Sequence, residues 1–148
     1  MIAPATTPEA KQVLVTWLAG KIGTTPDGLV GDTPFNIMGV LRADGALMGA
    51  VMFNHWRGGR IEIAGAGEPG WISRADMRAV FAYPFEQLHC WTILSYVNRH
   101  NTVSRDFTKR LGFVERCVIP CGPTKARDMV LYSMTRPECR WLPPVRLH

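Results

Sequence analysis

The chain has 148 residues, of which 47% are hydrophobic and 20% charged, with a formal net charge of +5. That size and balance fit one globular domain and exclude a disordered, collagen-like or coiled-coil chain as the main architecture. No run reaches 18 apolar residues, so no membrane-spanning helix is expected, and Met1–Pro8 has neither the basic nor the apolar region of a signal peptide.

Cys90, Cys117, Cys121 and Cys139 form no C-x-x-C pair and no metal-ligand set. That fits reduced thiols, a cytoplasmic location and no bound metal. The charge is uneven: residues 1–98 hold 7 Lys and Arg against 8 Asp and Glu, and residues 99–148 hold 10 against 4. A basic C-terminal third suits a phosphorylated ligand or a nucleic acid. Drift in composition is the bland alternative, because Arg outnumbers Lys 13 to 4.

Pro8–Ile22 reads as an amphipathic helix with Val13, Leu14, Trp17, Leu18 and Ile22 at helical spacing. Thr7 is its N-cap, Pro8 its first residue and Gly23 its stop. Thr24–Pro34 is a polar loop or short helix. Phe35–Arg42, Ala46–Trp56 and Arg60–Ala64 read as a three-stranded meander, turned first at Ala43-Asp44-Gly45 and then at Arg57-Gly58-Gly59. The segment Gly65–Gly70 reads as irregular. Ser73-Arg74-Ala75-Asp76 has the form of a capping box with Asp in place of Glu. The helix after it carries Met77, Val80, Phe81, Phe85 and Leu88 on one face, and Pro84 should kink or end it. Cys90–Val97 is a nearly all-apolar strand, expected to be buried on both faces. Thr102–Leu111 is a second helix stopped by Gly112. Val114–Ile119 and Met129–Met134 are the last strands. The expected domain is 1–142, with a tail from Pro143 to His148. The five tryptophans divide into Trp17 and Trp91 at core positions, Trp56 and Trp71 beside glycine turns, and Trp141, which packs back on the body or at a contact between two copies in a homodimer.

Asn101-Thr-Val-Ser104-Arg-Asp-Phe107-Thr-Lys-Arg-Leu111-Gly112-Phe113 has the spacing N-x-x-S-x-x-Φ-x-x-x-L-G-F. This resembles the Gcn5-related N-acetyltransferase (GNAT) superfamily, and most of all its branch that acetylates ribosomal-protein N-termini. Asp128-Met-Val-Leu-Tyr132-Ser-Met134 is similar to that branch's last strand. Tyr83-Pro-Phe-Glu-Gln-Leu88 and Glu138-Cys-Arg-Trp-Leu142 resemble short phage and prophage members. The resemblance covers nearly the whole chain. It implies a mixed, mostly antiparallel sheet flanked by helices (α/β, or α+β), with a V-shaped cleft between strands 60–66 and 91–97.

The implied co-substrate is acetyl-CoA. Its pantetheine arm, an extended diamide, would bond to strand backbone at Ile63, Ala64 and Gly65. Its pyrophosphate would take amides near Gly70 and Ser73 at a helix start, with Arg74 as the local cation. Asn101 opens the next helix and could bond the arm or a water, Phe107 would line the cleft, and Lys109 and Arg110 would reach its mouth. The superfamily's phosphate loop, a basic residue then x-x-G-x-G/A, is absent; Glu68 and Pro69 stand there instead. Thr108 occupies the position where many members carry an acidic Tyr. The implied roles are therefore Glu62 as general base, Ser104 as proton donor to the departing thiolate, and Asn101 as a positioning group. His55 and His100 are further candidate bases.

Three functions fit this reading. The first is an acyl-CoA-dependent N-acyltransferase acting on a small-molecule or peptide amine. The second is a phage-type protein that modifies nucleic acid on the same fold. The third is a non-catalytic binding protein whose phosphate loop has degenerated.

Overall fold

The computed structural model describes residues 1–145; the end of the expected tail, 146–148, lies outside the described residues. The elements run β1 (Ile2–Pro4), α1 (Pro8–Ile22), α2 (Pro26–Val30), β2 (Phe35–Leu41), β3 (Leu47–Arg57), β4 (Arg60–Gly67), α3 (Arg74–Ala82), β5 (Thr92–Asn98), α4 (Thr102–Leu111), β6 (Val114–Ile119) and β7 (Met129–Thr135). They form one seven-stranded sheet in the order β1-β2-β3-β4-β5-β7-β6. Every neighbouring pair is antiparallel except β4 and β5. The mixed, mostly antiparallel sheet flanked by helices is the one expected.

Strand alternation sorts the core into two layers. On β3, Val51 and Phe53 face one way and join Ile61, Val80, Phe81, Ile93, Phe113 and Tyr132 beneath α3 and α4. Ala50 and Met52 face the other way and meet Val15 and Leu18 of α1. The α1 stripe is rotated from its expected position. Val15, Leu18 and Ala19 are buried, whereas Val13 and Ile22 are exposed. The sheet covers a stripe narrower than the apolar residues of α1 would permit.

Helix ends follow the local chemistry. Thr7 accepts from the Ala10 amide, and Gly23 closes α1 in the left-handed region at φ 90°. Ser73 Oγ accepts from the Asp76 amide (3.1 Å) while Asp76 Oδ2 accepts from the Ser73 amide (3.2 Å), so the capping box forms with Asp. Pro84 breaks the α-helical ladder after Ala82, and residues 83–87 form a π-helical turn.

Four further expectations change. β1, three residues long, pairs with β2 although nothing in its sequence marks it. The strand read as ending at Ala64 continues to Gly67, because Gly65, Ala66 and Gly67 pair in register with Val51, Ala50 and Gly49. The fifth strand is not buried on both faces, since Tyr96 is 41% exposed. The face of β5 that carries Tyr96 is left partly open, because α1 packs over β2–β4. Trp91 is half exposed rather than in the core, just ahead of that strand.

The capping box sets where α3 begins, and α3 covers the site described next. Ser73→Ala should destabilise the chain by about 1 kcal/mol, the usual cost of losing a side-chain N-cap. The expected readout is a lower urea midpoint at unchanged slope. An unmoved midpoint would mean that the Asp76 amide finds another acceptor.

Candidate active site

The only parallel pairing in the sheet is also very short. Arg60, Ile61 and Glu62 pair with Thr92, Ile93 and Leu94, and there the ladder stops. Beyond Glu62, β4 stays with β3 as far as Gly67, and β5 stays with β7 as far as Asn98. The two strands therefore part at Glu62 and Leu94 and open a V. Strand amides and carbonyls point alternately to either side, so half of those on 63–67 lose their ladder partner on the β5 side.

Consecutive residues at the apex look out on opposite faces. Ile63 lines a small cavity of about 60 Å³ on the α3–α4 side, with Gly65, Trp71, Ser95, Phe107 and Thr108 among its walls. Glu62 lines a polar pocket of about 190 Å³ on the other face, with His55, Arg60, Leu94 and Tyr96.

A turn determines what fills the V. Glu68-Pro69-Gly70-Trp71 closes with the Trp71 amide donating to the Glu68 carbonyl (3.0 Å), and Gly70 has φ 71°. Proline second and a positive-φ glycine third define a type II turn. This turn delivers the Trp71 indole onto Gly49, Gly65 and Gly67, which share one sheet face. The three atoms nearest a β-carbon built at Gly49 all belong to the indole. Across the V the ring meets Phe107 of α4, with centroids 5.9 Å apart at 42°. Gly70 thus serves the turn, and Gly65 serves as part of the indole's bed. Glu68 is paired with Lys21 of α1.

The V has the open backbone that an extended diamide arm needs, but a ligand pocket usually measures roughly 300–1,000 Å³. At about 60 Å³ the cavity beside the indole is well below that scale.

The other expected residues separate into groups. Ile63, Gly65 and Phe107 line the cavity. Ala64 faces α1 on the opposite side of the sheet, so its backbone alone borders the V. Asn101 caps α4, its Oδ1 accepting from the Ser104 amide at 3.0 Å. Ser104 is half-buried in the first turn of α4, and its carbonyl accepts from the buried Thr108 hydroxyl at 2.7 Å. The Arg74 guanidinium lies 5.9 Å from the Trp141 ring centre, with Arg140 4.6 Å from the same ring. Trp141 packs back on the body through its Nε1, which donates to the Leu111 carbonyl at 2.8 Å. Lys109 and Arg110 lie with Val103 and Asp106 in a depression on α4 separate from the cavity. Arg99, Arg105 and Arg116 of the basic C-terminal third are held in ion pairs with Asp128, Glu115 and Glu138. His100 Nε2 is 3.1 Å from the Lys125 carbonyl.

The pocket around Glu62 contains what sequence reading ranked low or missed. The β3–β4 register shifts between Asn54 and Arg57, and His55 within that shift has φ 52°. A left-handed non-glycine residue costs about 1–3 kcal/mol and persists where its surroundings hold it. Here the bulge brings His55 Nδ1 to 2.9 Å from Glu62 Oε2. That is an ion-pair distance, but the contact is off the axis of a directed hydrogen bond, which Nδ1 does not make among the described residues. Tyr96 stands beside them. Burial, and then the charge of Glu62, push its phenol above the usual tyrosine range, so it stays protonated. Alternation along β5 was the available signal for Tyr96, and the apolar run around it hid that signal.

Several solved structures share this architecture. A variant spermidine N-acetyltransferase from Vibrio cholerae matches with a TM-score of 0.69 at 14% identity, over 96% of this chain and 97% of that one. The dodecameric spermidine N-acetyltransferase from the same organism gives 0.66 at 14% identity, over 91% and 94%. A candidate acetyltransferase from Acinetobacter baylyi gives 0.63 at 15% identity, over 97% of each chain. The chain has the GNAT fold. No protein-family model and no curated protein matches the sequence. On this fold the V between β4 and β5 is bordered by the Trp71 indole. Among the described residues no helix is long and apolar enough to cross a membrane.

If the indole alone defines the glycine bed, Gly49→Ala should cost about 1–3 kcal/mol through overpacking. In a Trp71→Ala background the same substitution should cost almost nothing. Chemical denaturation of the four proteins measures this coupling. Additive effects would mean that the indole does not rest on Gly49.

Proposed function

We propose that the protein is an acetyl-CoA-dependent N-acetyltransferase acting on a primary amine. The observation that carries this reading is the parting of the only parallel strand pair at Glu62, on the GNAT fold, with His55 drawn onto the same carboxylate by a strained bulge. Acetyl-CoA supplies the activated acyl carbon. The β4 backbone at Ile63, Ala64 and Gly65 would hold its arm once the Trp71 indole moves off Gly65, and the start of α3 at Ser73 and Arg74 would receive its phosphates.

Glu62 accepts a proton from the acceptor's ammonium, directly or through a water, and frees the nitrogen lone pair. His55, with Nδ1 2.9 Å from Oε2, stands against the carboxylate and positions it. The amine nitrogen then bonds to the thioester carbonyl carbon, and an amide of β4 on the open side stabilises the charge that develops on the carbonyl oxygen. The C–S bond breaks, and the sulfur leaves with the bonding pair. It takes a proton from Ser104, and the nitrogen gives up its second proton to restore that hydroxyl through solvent. The products are the acetamide and free CoA, with one proton released.

The test combines direct acetyl-CoA binding by calorimetry with release of CoA thiol in the presence of a panel of primary amines. Glu62→Gln should lower kcat at least about 100-fold, the usual contribution of a general base, and leave acetyl-CoA affinity within about twofold. His55→Asn should retain the fold, because Asn tolerates the left-handed backbone, and should lower kcat less than Glu62→Gln does. A parent protein that binds no acetyl-CoA would overturn the reading.

A further inference from the structure

The polar pocket around Glu62 has a composition that the reaction does not require. Its rim carries Arg57 and Arg60, which sit directly opposite each other across the β3–β4 ladder. Like charges placed opposite each other destabilise a strand pair. Neither guanidinium has an acidic partner within ion-pair distance among the described residues. The one carboxylate in the pocket, Glu62, is already at 2.9 Å from His55. The pocket therefore carries two exposed guanidiniums, neither in an ion pair among the described residues, against the single carboxylate of Glu62, a net positive charge. That arrangement repels a polyamine and attracts an anion.

The spacing is defined by the strand. Arg60 and Glu62 are two residues apart on one face, about 6.6 Å along β4 at roughly 3.3 Å per residue. An amine held at Glu62 would thus have the Arg60 guanidinium a few bonds away. The pocket volume of about 190 Å³ corresponds to roughly six water molecules of liquid, the scale of a small polar head group. Leu94 supplies an apolar floor, and Tyr96 supplies a protonated phenol as a hydrogen-bond donor.

We infer that the acceptor is an anionic amine: a primary amine with a carboxylate or phosphate a few bonds away, the anion held by Arg57 and Arg60 and the amine presented to Glu62. This deepens the acetyltransferase reading and rests on it for the chemistry, though not for the binding. It sets the site apart from what a spermidine acetyltransferase, named for a polycation, would need. The anion can be a carboxylate or a phosphate; the chemistry at the two arginines is the same.

The test uses the full chain and has a binding arm and a turnover arm. In the binding arm, the His55 and Tyr96 ring resonances are followed by NMR during titration with O-phosphoethanolamine, ethanolamine, spermidine and a short single-stranded oligonucleotide. The expected result is that O-phosphoethanolamine shifts them at a concentration at least tenfold lower than ethanolamine or spermidine. In Arg57→Gln/Arg60→Gln that preference should disappear. A shift by the oligonucleotide at lower concentration still would overturn the assignment of a small anionic amine. In the turnover arm, CoA release should rank the anionic amine above ethanolamine and spermidine, and Arg57→Glu/Arg60→Glu should reverse the ranking in favour of spermidine. A parent that binds or acetylates spermidine in preference overturns this inference and leaves the acetyltransferase reading intact. A parent that binds the anionic amine but never releases CoA does the opposite.

Discussion

Three residue pairs of parallel ladder, ending at Glu62 and Leu94, are the constraint on which the rest of this molecule depends. β4 is bound to β3 from Glu62 through Gly67, and β5 to β7 along its full length. Each strand satisfies its hydrogen bonds on one side, so the two halves of the sheet need not remain together. Where they separate, backbone groups are left open inside a covered fold, a situation that proteins avoid unless something fills the gap. On one face the gap is covered by α3, α4 and the Trp71 indole. On the other it ends in a charged pocket.

The glycines are best understood from that geometry. Gly49 and Gly67 lie opposite each other on adjacent strands, and Gly65 follows on the same face. A side chain at Gly49 or Gly67 would collide with the indole. The Pro69-Gly70 turn delivers the ring, and Arg74, at the start of α3, lies 5.9 Å from the Trp141 ring centre.

The two faces of the V divide the chemistry. The cavity side is apolar and crowded, with Ser95 and Thr108 as its polar members among aromatic and aliphatic walls. The pocket side is polar and partly open, with a carboxylate, an imidazole, a phenol and two guanidiniums. An acyl carbon at the apex would have a dry side behind it and a charged side ahead. That asymmetry is what an acyl transfer to an amine requires, because the thioester must be shielded from water while the amine must arrive hydrated and lose a proton.

The sequence by itself determined the local events. Thr7 and Ser73 were legible as caps, and Gly23 and Gly112 as stops, because each depends on atoms within four residues, whereas Asn101, read as a ligand-binding group, spends its Oδ1 on capping α4. The helix and strand order followed from periodicity, and Glu62 was legible as a polar residue between two isoleucines on a strand. Only the tertiary structure decided the rest. The extension of β4 through Gly65–Gly67 depends on pairing with Ala50 and its neighbours, more than a dozen residues away. The seat of Trp71 needs glycines from two strands and a phenylalanine from α4. The meeting of His55 with Glu62 needs a register shift that no local pattern encodes. Caps and turns are governed by short loops of chain, whose energetics are written in adjacent residues. The site is governed by contacts between distant segments, and these exist only once the sheet has chosen where to part.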